Sequence, residues 1–189
     1  GAGAATFLRA GTGEVACIDF IPPAPTGLNP MEMDSAVAMT GPLASCPPGN
    51  LAGWYELQSR YGKLSFPDVL QPAICLASDG YPVSKFFVAE TVDQNDRIKD
   101  PEWRRVFEPD RGWKPGDILK LHDLAGTLEK IAEQGVGYLY TGELGERLTR
   151  HMQLVGGVIA PSDLQAVEPL IETPIKATYR DRLIHVPPP

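Results

Sequence analysis

Few side chains in this sequence stand where chemistry would need them, and each carries a plainer reading beside the reactive one. Ser45-Cys46 places a hydroxyl next to a thiol just ahead of Pro47-Pro48. A nucleophile there would need a G-x-S-x-G elbow or a cysteine–histidine signature; neither surrounds it, so the pair reads as turn chemistry. Gly1-Ala2-Gly3 could bring backbone N–H groups close to an anion. It lacks the G-x-G-x-x-G spacing and a preceding strand, so it reads as a tight backbone passage and a dinucleotide site is rejected. His122, His151 and His185 have no acidic or cysteine partner at ligand spacing; they are read as structural, and neither a metal nor a cofactor is expected. Asp19 is the best-placed acid, ending an apolar run that leads into Ile21-Pro22, where its carboxylate could orient a backbone amide. Glu102-Trp103-Arg104-Arg105, with Arg97 and Lys99, forms a basic and aromatic patch able to clamp an acidic group. A solvated face with one snorkelling tryptophan is the preferred reading.

The 189 residues suffice for one domain with a real core, and residues 1–189 are read as a single domain. Apolar residues at 43% and charged residues at 22% disfavour disorder, while 19 glycines and 19 prolines predict a loop-rich fold. Seventeen Lys and Arg against 24 Asp and Glu leave a net charge of −7, which opposes binding to nucleic acid or to an anionic membrane. No apolar stretch approaches the roughly 18 residues of a spanning helix. Cys17, Cys46 and Cys75 are odd in number and outside any C-x-x-C pattern, so they are expected to be buried free thiols.

The elements that must position these residues follow from periodicity. Thr6–Ala10 and Glu14–Phe20 flank Gly11-Thr12-Gly13 and predict a hairpin. Pro22, Pro23 and Pro25 end the second strand, and Thr26–Gly49 reads as a long irregular, site-lining stretch. Helical spacing predicts helices over Asn50–Tyr61, with Leu51, Trp54, Tyr55, Gln58 and Tyr61 on one side, and over Pro67–Ser78 and Ser84–Asp93. Gln94–Lys120, punctuated by Pro101, Pro109 and Pro115, reads as an excursion around short helical turns. Leu121–Gln134 and Gly142–Val155 predict an antiparallel helix pair, followed by a turn at Pro161 and strands over Leu170–Tyr179 and Leu183–Val186. Each helix has one apolar face to bury, so all four longer ones are expected to cover a sheet that contains the hairpin.

In this order the segments resemble the large chain of the γ-glutamyltranspeptidases, members of the N-terminal-nucleophile hydrolases. Gly1-Ala2-Gly3-Ala4-Ala5-Thr6-Phe7 looks like the family's run GIGGGGF, and Asp19-Phe20-Ile21-Pro22-Pro23-Ala24-Pro25 is similar to DFRETAP. Pro48-Gly49-Asn50-Leu51-Ala52-Gly53-Trp54 is similar to PGTVAGL, and Arg60-Tyr61-Gly62-Lys63-Leu64 to RYGKL. Leu70–Ile74 with Gly80–Ser84, Lys114-Pro115-Gly116-Asp117, and Tyr179-Arg180 with Pro187-Pro188-Pro189 complete the series. Each piece is weak, and seven in sequence are strong.

The resemblance implies an α+β fold, the αββα sandwich of N-terminal-nucleophile hydrolases, with this chain as the large-subunit part. It implies a precursor that cuts itself and a small subunit from that precursor as partner. The small subunit's N-terminal threonine attacks an amide carbonyl with its own α-amine as base. The substrate is then a small-molecule amide, and no catalytic residue lies on this chain. Both ends look incomplete relative to the family, and the compartment stays open between periplasmic or secreted and cytoplasmic. In the family the arginine after Asp-Phe grips the α-carboxylate of the γ-glutamyl group; here that position is Ile21, followed by Pro22. Asp19, Ile21 and Pro22 are therefore the candidate substrate-binding residues. The missing guanidinium, a pair worth roughly 1.5–3 kcal/mol, argues for an altered substrate. The alternatives are an ordinary γ-glutamyltransferase or glutathione hydrolase, and a catalytically inactive scaffold relative.

Overall fold

The computed structural model describes residues 1–94, 98, 100–107 and 111–188. Arg97 and Lys99 of the basic patch, Pro109 and the terminal Pro189 lie outside the described residues. In chain order the first elements are β1 (Ala4–Arg9), β2 (Glu14–Asp19), α1 (Ser35–Met39), α2 (Asn50–Tyr61) and α3 (Phe66–Asp79). Then come β3 (Tyr81–Pro82), α4 (Lys85–Gln94), α5 (Pro101–Phe107), β4 (Ile118–Leu119) and α6 (His122–Gln134). The last are α7 (Gly137–Tyr140), α8 (Glu143–Leu154), α9 (Pro161–Gln165), β5 (Leu170–Glu172), β6 (Ile175–Tyr179) and β7 (Arg182–Val186). This is a mixed α+β chain. It divides into two compact units, Gly1–Phe66 with Gln134–Pro189, and Pro67–Glu133.

In the first unit β1 and β2 form the expected hairpin, in register from Ala4↔Asp19 to Arg9↔Glu14. Gly13 closes the turn at φ +72°, a conformation that costs glycine nothing, and its N–H donates to the Arg9 carbonyl at 2.8 Å. Ala16, Cys17 and Ile18 of β2 are buried, so the middle of this strand is covered on both faces. Helix α2 lies against the hairpin at both of its ends. Tyr61 meets the Phe7 ring at 4.5 Å between centroids, and Gly53 sits under Phe20, where a Cβ would overlap the ring carbons. That packing rotates the helix from its expected face: Leu51, Ala52 and Gly53 are buried, while Trp54 is exposed.

The predicted strand Leu170–Tyr179 is two strands. Pro174 has no N–H to donate, and the chain breaks there. Strand β5 pairs antiparallel with β2 through Cys17↔Glu172, giving the sheet order β1-β2-β5, whereas β6 turns back on β7 as a separate two-stranded sheet. Arg180 (φ +48°) and Asp181 (φ +60°) make the tight turn between β6 and β7, the geometry that matches strand twist. Helix α8 packs on α7 and α9. Its buried line is Gly145 and Thr149, one residue on from the row Leu144, Leu148, Met152 and Val155 that helical spacing predicts as the apolar face, because Gly145 lets the Leu139 carbonyl and the Leu164 side chain approach. Of the cysteines only Cys17 is buried, within 3.1 Å of the Thr6 hydroxyl; Cys46 and Cys75 are exposed, contrary to expectation.

In the second unit, Leu70, Ile74 and Ala77 of α3 are buried at helical spacing, and β3 pairs with β4 through Tyr81↔Leu119. The excursion after α4 contains the seven-residue α5, capped by Asp100, whose carboxylate accepts from Glu102 N–H (2.7 Å) and Trp103 N–H (3.2 Å). Trp103 stacks on Phe107 at 4.5 Å, and Phe87 meets Phe107 and Trp113, so the tryptophan belongs to an aromatic cluster rather than snorkelling alone. Arg105 pairs with Glu102 and Asp123, and hydrogen bonds first to Glu102 and then to Asp123 raise its pKa. Among the described residues no helix is long and apolar enough to cross a membrane, and no cluster of His, Cys, Asp and Glu could hold a metal ion.

Asp163 ties the first unit across 137 residues of sequence. One carboxylate oxygen accepts from the Thr26 N–H (3.0 Å) and hydroxyl (2.8 Å), and the other from the Ala160 N–H (2.8 Å) at the start of α9. Burial pushes this carboxyl up, but the bonds from Ala160 and Thr26 outweigh it and hold the pKa below the ordinary value. A depressed native pKa means the stabilisation is complete above the unfolded pKa, about 4, and is lost as pH falls through the native one. Asp163→Ala in the full-length protein is expected to cost roughly 1.5–3 kcal/mol at pH 7, and the gap to wild type should shrink below about pH 4 in urea denaturation. A gap independent of pH would contradict this.

Two glycine substitutions separate packing from propensity. Gly53→Ala is expected to destabilise by about 1–3 kcal/mol, because the new methyl has no room against the Phe20 ring. Gly126→Ala, inside α6 with nothing within 4 Å of its Cβ position, is expected to stabilise by about 0.5–1 kcal/mol. Denaturation midpoints of both variants check the signs.

Candidate functional site

Strand β2 delivers Asp19 to the edge of the site, and the chain then runs without regular structure from Phe20 to Pro25. Phe20 is buried and its N–H donates to the Gly3 carbonyl at 2.9 Å. The glycine passage at the start of the chain is therefore a backbone neighbour of the segment. A Cβ at Gly3 would stand 2.9 Å from the Phe20 ring. Asp19 accepts the Ile21 N–H at 2.8 Å, so its carboxylate orients that amide. Ile21 projects its side chain outward at 64% exposure, and Pro22 is half-buried. At the far end Pro25 is buried and Thr26 is held by Asp163. The segment is thus strung between two fixed points, with Ile21 at its open crest.

The seat of this segment is the first turn of α2. A helix start leaves N–H groups unpaired, and Gly49 offers no side chain to cap them. The Gly1 carbonyl does so, accepting from Gly49 N–H (2.6 Å) and Asn50 N–H (3.1 Å). The Tyr140 hydroxyl accepts from Ala52 N–H (2.9 Å) and donates to the Pro48 carbonyl (2.8 Å). Burial raises the Tyr140 pKa to about 12 despite the opposing bond from Ala52, so the hydroxyl keeps its proton at any physiological pH. Gly49 itself is obligatory: a Cβ there would run into the Phe20 carbonyl oxygen and stand 3.1 Å from Pro22 Cδ. The Asn50 side-chain oxygen beside this turn is buried without a hydrogen-bond partner.

Three of the sequence motifs, around residues 1–7, 19–25 and 48–54, therefore meet in one place, and Asp19, Ile21 and Pro22 are adjacent within it. Arg60-Tyr61 joins them through the Phe7 stack. Lys114–Asp117 belongs to the second unit, where Asp117 accepts the Lys114 N–H (2.8 Å) and pairs with Arg111 (3.1 Å). Ser45-Cys46 is exposed and irregular, just after the short 3-10 helix Pro42–Ala44, His122 begins α6, and His151 is exposed in α8. His185 is half-buried in β7, its Nδ1 without a partner. Sequence reasoning missed Tyr140 and α7 altogether. The short apolar run Tyr138-Leu139-Tyr140 between Gly137 and Gly142 was the available signal; Tyr138 and Leu139 are buried, but four residues carry too little periodicity to read.

The family model described as gamma-glutamyltranspeptidase matches residues 1–189. The glutathione hydrolase proenzyme of Escherichia coli (strain K12) is 33% identical to this chain, over 100% of the chain and 34% of that protein. The acylase ACY 1 proenzyme of Pseudomonas sp. (strain SE83) is 37% identical over 80% of the chain and 27% of its own length. The crystal structure of Helicobacter pylori gamma-glutamyltranspeptidase superposes with a TM-score of 0.92 at 27% identity, covering 100% of this chain and 57% of that one. The chain spans about a third or less of the length of these two curated relatives. With a match that runs end to end and motifs that converge on one seat, the chain belongs to the γ-glutamyltranspeptidase family.

Proposed function

We propose that this chain is the large-chain portion of an amide hydrolase or acyltransferase, working with a small chain cut from the same precursor. In this reading the small chain's N-terminal threonine hydroxyl attacks the amide carbonyl. Its proton passes through the chain's own α-amine to the leaving amine, and an ester-linked acyl-enzyme remains. Water or an acceptor amine then releases the acyl group. Residues 1–189 act as one part of the catalytic unit and, with the small chain, complete the αββα sandwich. The curated relatives are proenzymes by name, which supports processing into two chains.

A surface feature supports the second chain independently. The β6–β7 sheet has two strands, and isolated hairpins are marginal in water. By register, Ile175, Ala177, Tyr179, Ile184 and Val186 share one face, with Arg182 at its turn end, and Tyr179 is 60% exposed. A covered face suits these side chains better than water. In the assembled full-length protein the amides of 175–186 should exchange slowly, and in the isolated chain at least tenfold faster. Equal, fast exchange in both would argue against a covering chain.

The single observation that carries the substrate reading is Ile21 at the family's carboxylate-gripping position, exposed at the crest of the segment. Aliphatic Ile21 offers no charge, and Pro22 no N–H, to an α-carboxylate. An acyl group that is neutral, or whose charge the other chain meets, fits better. Since Ile21 is exposed, Ile21→Arg displaces no core packing. It is expected to raise γ-glutamyl-p-nitroanilide turnover about ten- to hundredfold over a poor wild type. Efficient wild-type turnover that depends on the free α-carboxylate would instead favour an ordinary glutathione hydrolase. A small chain without a nucleophilic first residue would favour an inactive relative.

A further inference from the structure

We infer that Tyr140 is a positioning residue for the pocket wall: its hydroxyl locks the turn that seats Phe20, Ile21 and Pro22. The inference rests on the reading of those residues as substrate-binding. It starts from a hydroxyl satisfied in both directions by backbone atoms about ninety residues away, donating to the Pro48 carbonyl at 2.8 Å and accepting from Ala52 N–H at 2.9 Å. Those two atoms bracket Gly49, Asn50 and Leu51, the first turn of α2. The same turn is held a second time by the Gly1 carbonyl, through Gly49 and Asn50 N–H. Between the two clamps lie the contacts that place the wall. The Phe20 carbonyl and Pro22 Cδ press on Gly49, and the Phe20 ring presses on Gly53.

Removing the hydroxyl leaves Pro48 O and Ala52 N–H without a partner in a partly buried setting, and the turn must move to find new ones. A shift of Gly49 is passed on directly, because no slack exists between its α-carbon and the Phe20 carbonyl. Apart from this seat, Phe20 is held by its N–H on the Gly3 carbonyl and Ile21 by its N–H on the Asp19 carboxylate. A burial-raised pKa of about 12 keeps the donor present throughout the working pH range, as a fixed brace requires. Tyr140 touches no reacting atom in this scheme; it acts through the turn.

The test is Tyr140→Phe in the full-length, assembled protein, with Thr149→Val as control. Thr149 is buried in the same unit, more deeply than the half-buried Tyr140, but its hydroxyl bonds only within α8, to the Gly145 carbonyl at 3.0 Å and the Glu146 carbonyl at 3.2 Å. Hydrogen exchange should quicken at least tenfold at Phe20, Ile21 and Gly49–Ala52 in Tyr140→Phe while the β1–β2 centre, Thr6 and Cys17, stays as in wild type. The control should leave all of these amides unchanged. With γ-glutamyl-p-nitroanilide and phenylacetyl-p-nitroanilide as probes, KM for the better substrate should rise about five- to tenfold with kcat within threefold. Unchanged exchange at Phe20 and Ile21, uniform acceleration across the unit, failure to assemble, or an unchanged KM overturns the proposal. If wild type turns over neither amide, the substrate reading has failed, and the exchange pattern alone decides whether Tyr140 holds the segment.

Discussion

The seating of Phe20 on the first turn of α2 is the constraint on which the rest of the first unit depends. The ring needs Gly53 beneath it, its carbonyl needs Gly49 beside it, and its N–H needs the Gly3 carbonyl. Close packing of this kind leaves little compliance, since protein interiors accommodate even one added methyl group poorly. The hairpin, the helix and the start of the chain are thereby locked to one another, and the segment after Phe20 inherits a defined starting point. Thr26, held by Asp163, supplies the other.

Between those anchors Pro22 and Pro25 pack inward, while Ile21 presents its side chain without packing obligations. This is the physical arrangement expected of a specificity position: rigid ends, an open crest, and a side chain whose replacement does not disturb the core. A guanidinium at Ile21 would offer a fork for a carboxylate. An isoleucine there makes the same surface apolar while leaving the backbone seat as it is. In the proposed reading, selectivity changes at this crest at little cost to the fold, which fits a family whose members include proteins named as glutathione hydrolases and as acylases.

The seat is built largely by backbone atoms rather than charges. It consists of the carbonyls of Gly1, Gly3 and Pro48 and the amides of Phe20, Gly49, Asn50 and Ala52, with the Tyr140 hydroxyl inserted among them. Neutral hydrogen bonds of this type are insensitive to salt and, with the Tyr140 proton secured by burial, to pH over the physiological range. The charged ties lie elsewhere. The Asp163 carboxylate is buried, whereas Arg9–Glu14 is a surface pair of the sort worth little.

Local pattern by itself determined much of this chain. The Gly11-Thr12-Gly13 turn between two apolar runs produced the β1–β2 hairpin, and the runs closed by Gly62, Gly80 and Gly135 produced α2, α3 and α6. The ordered motifs, including Ile21 in place of an arginine, placed the family and the candidate residues. What sequence could not decide was how the elements meet. The division at Pro174 sent β5 to one sheet and β6 to another, a choice made by which strand was available to pair. The rotation of α2 came from a glycine's fit to a ring 33 positions earlier, and α8 chose α7 and α9 because Gly145 admits them. Tyr140 gains its meaning only from Pro48 and Ala52, 92 and 88 residues distant. Turns and helix ends are written in neighbouring residues, whose spacing sets the backbone. Contacts at that range depend on shape and unpaired polar groups that exist only once the chain has folded.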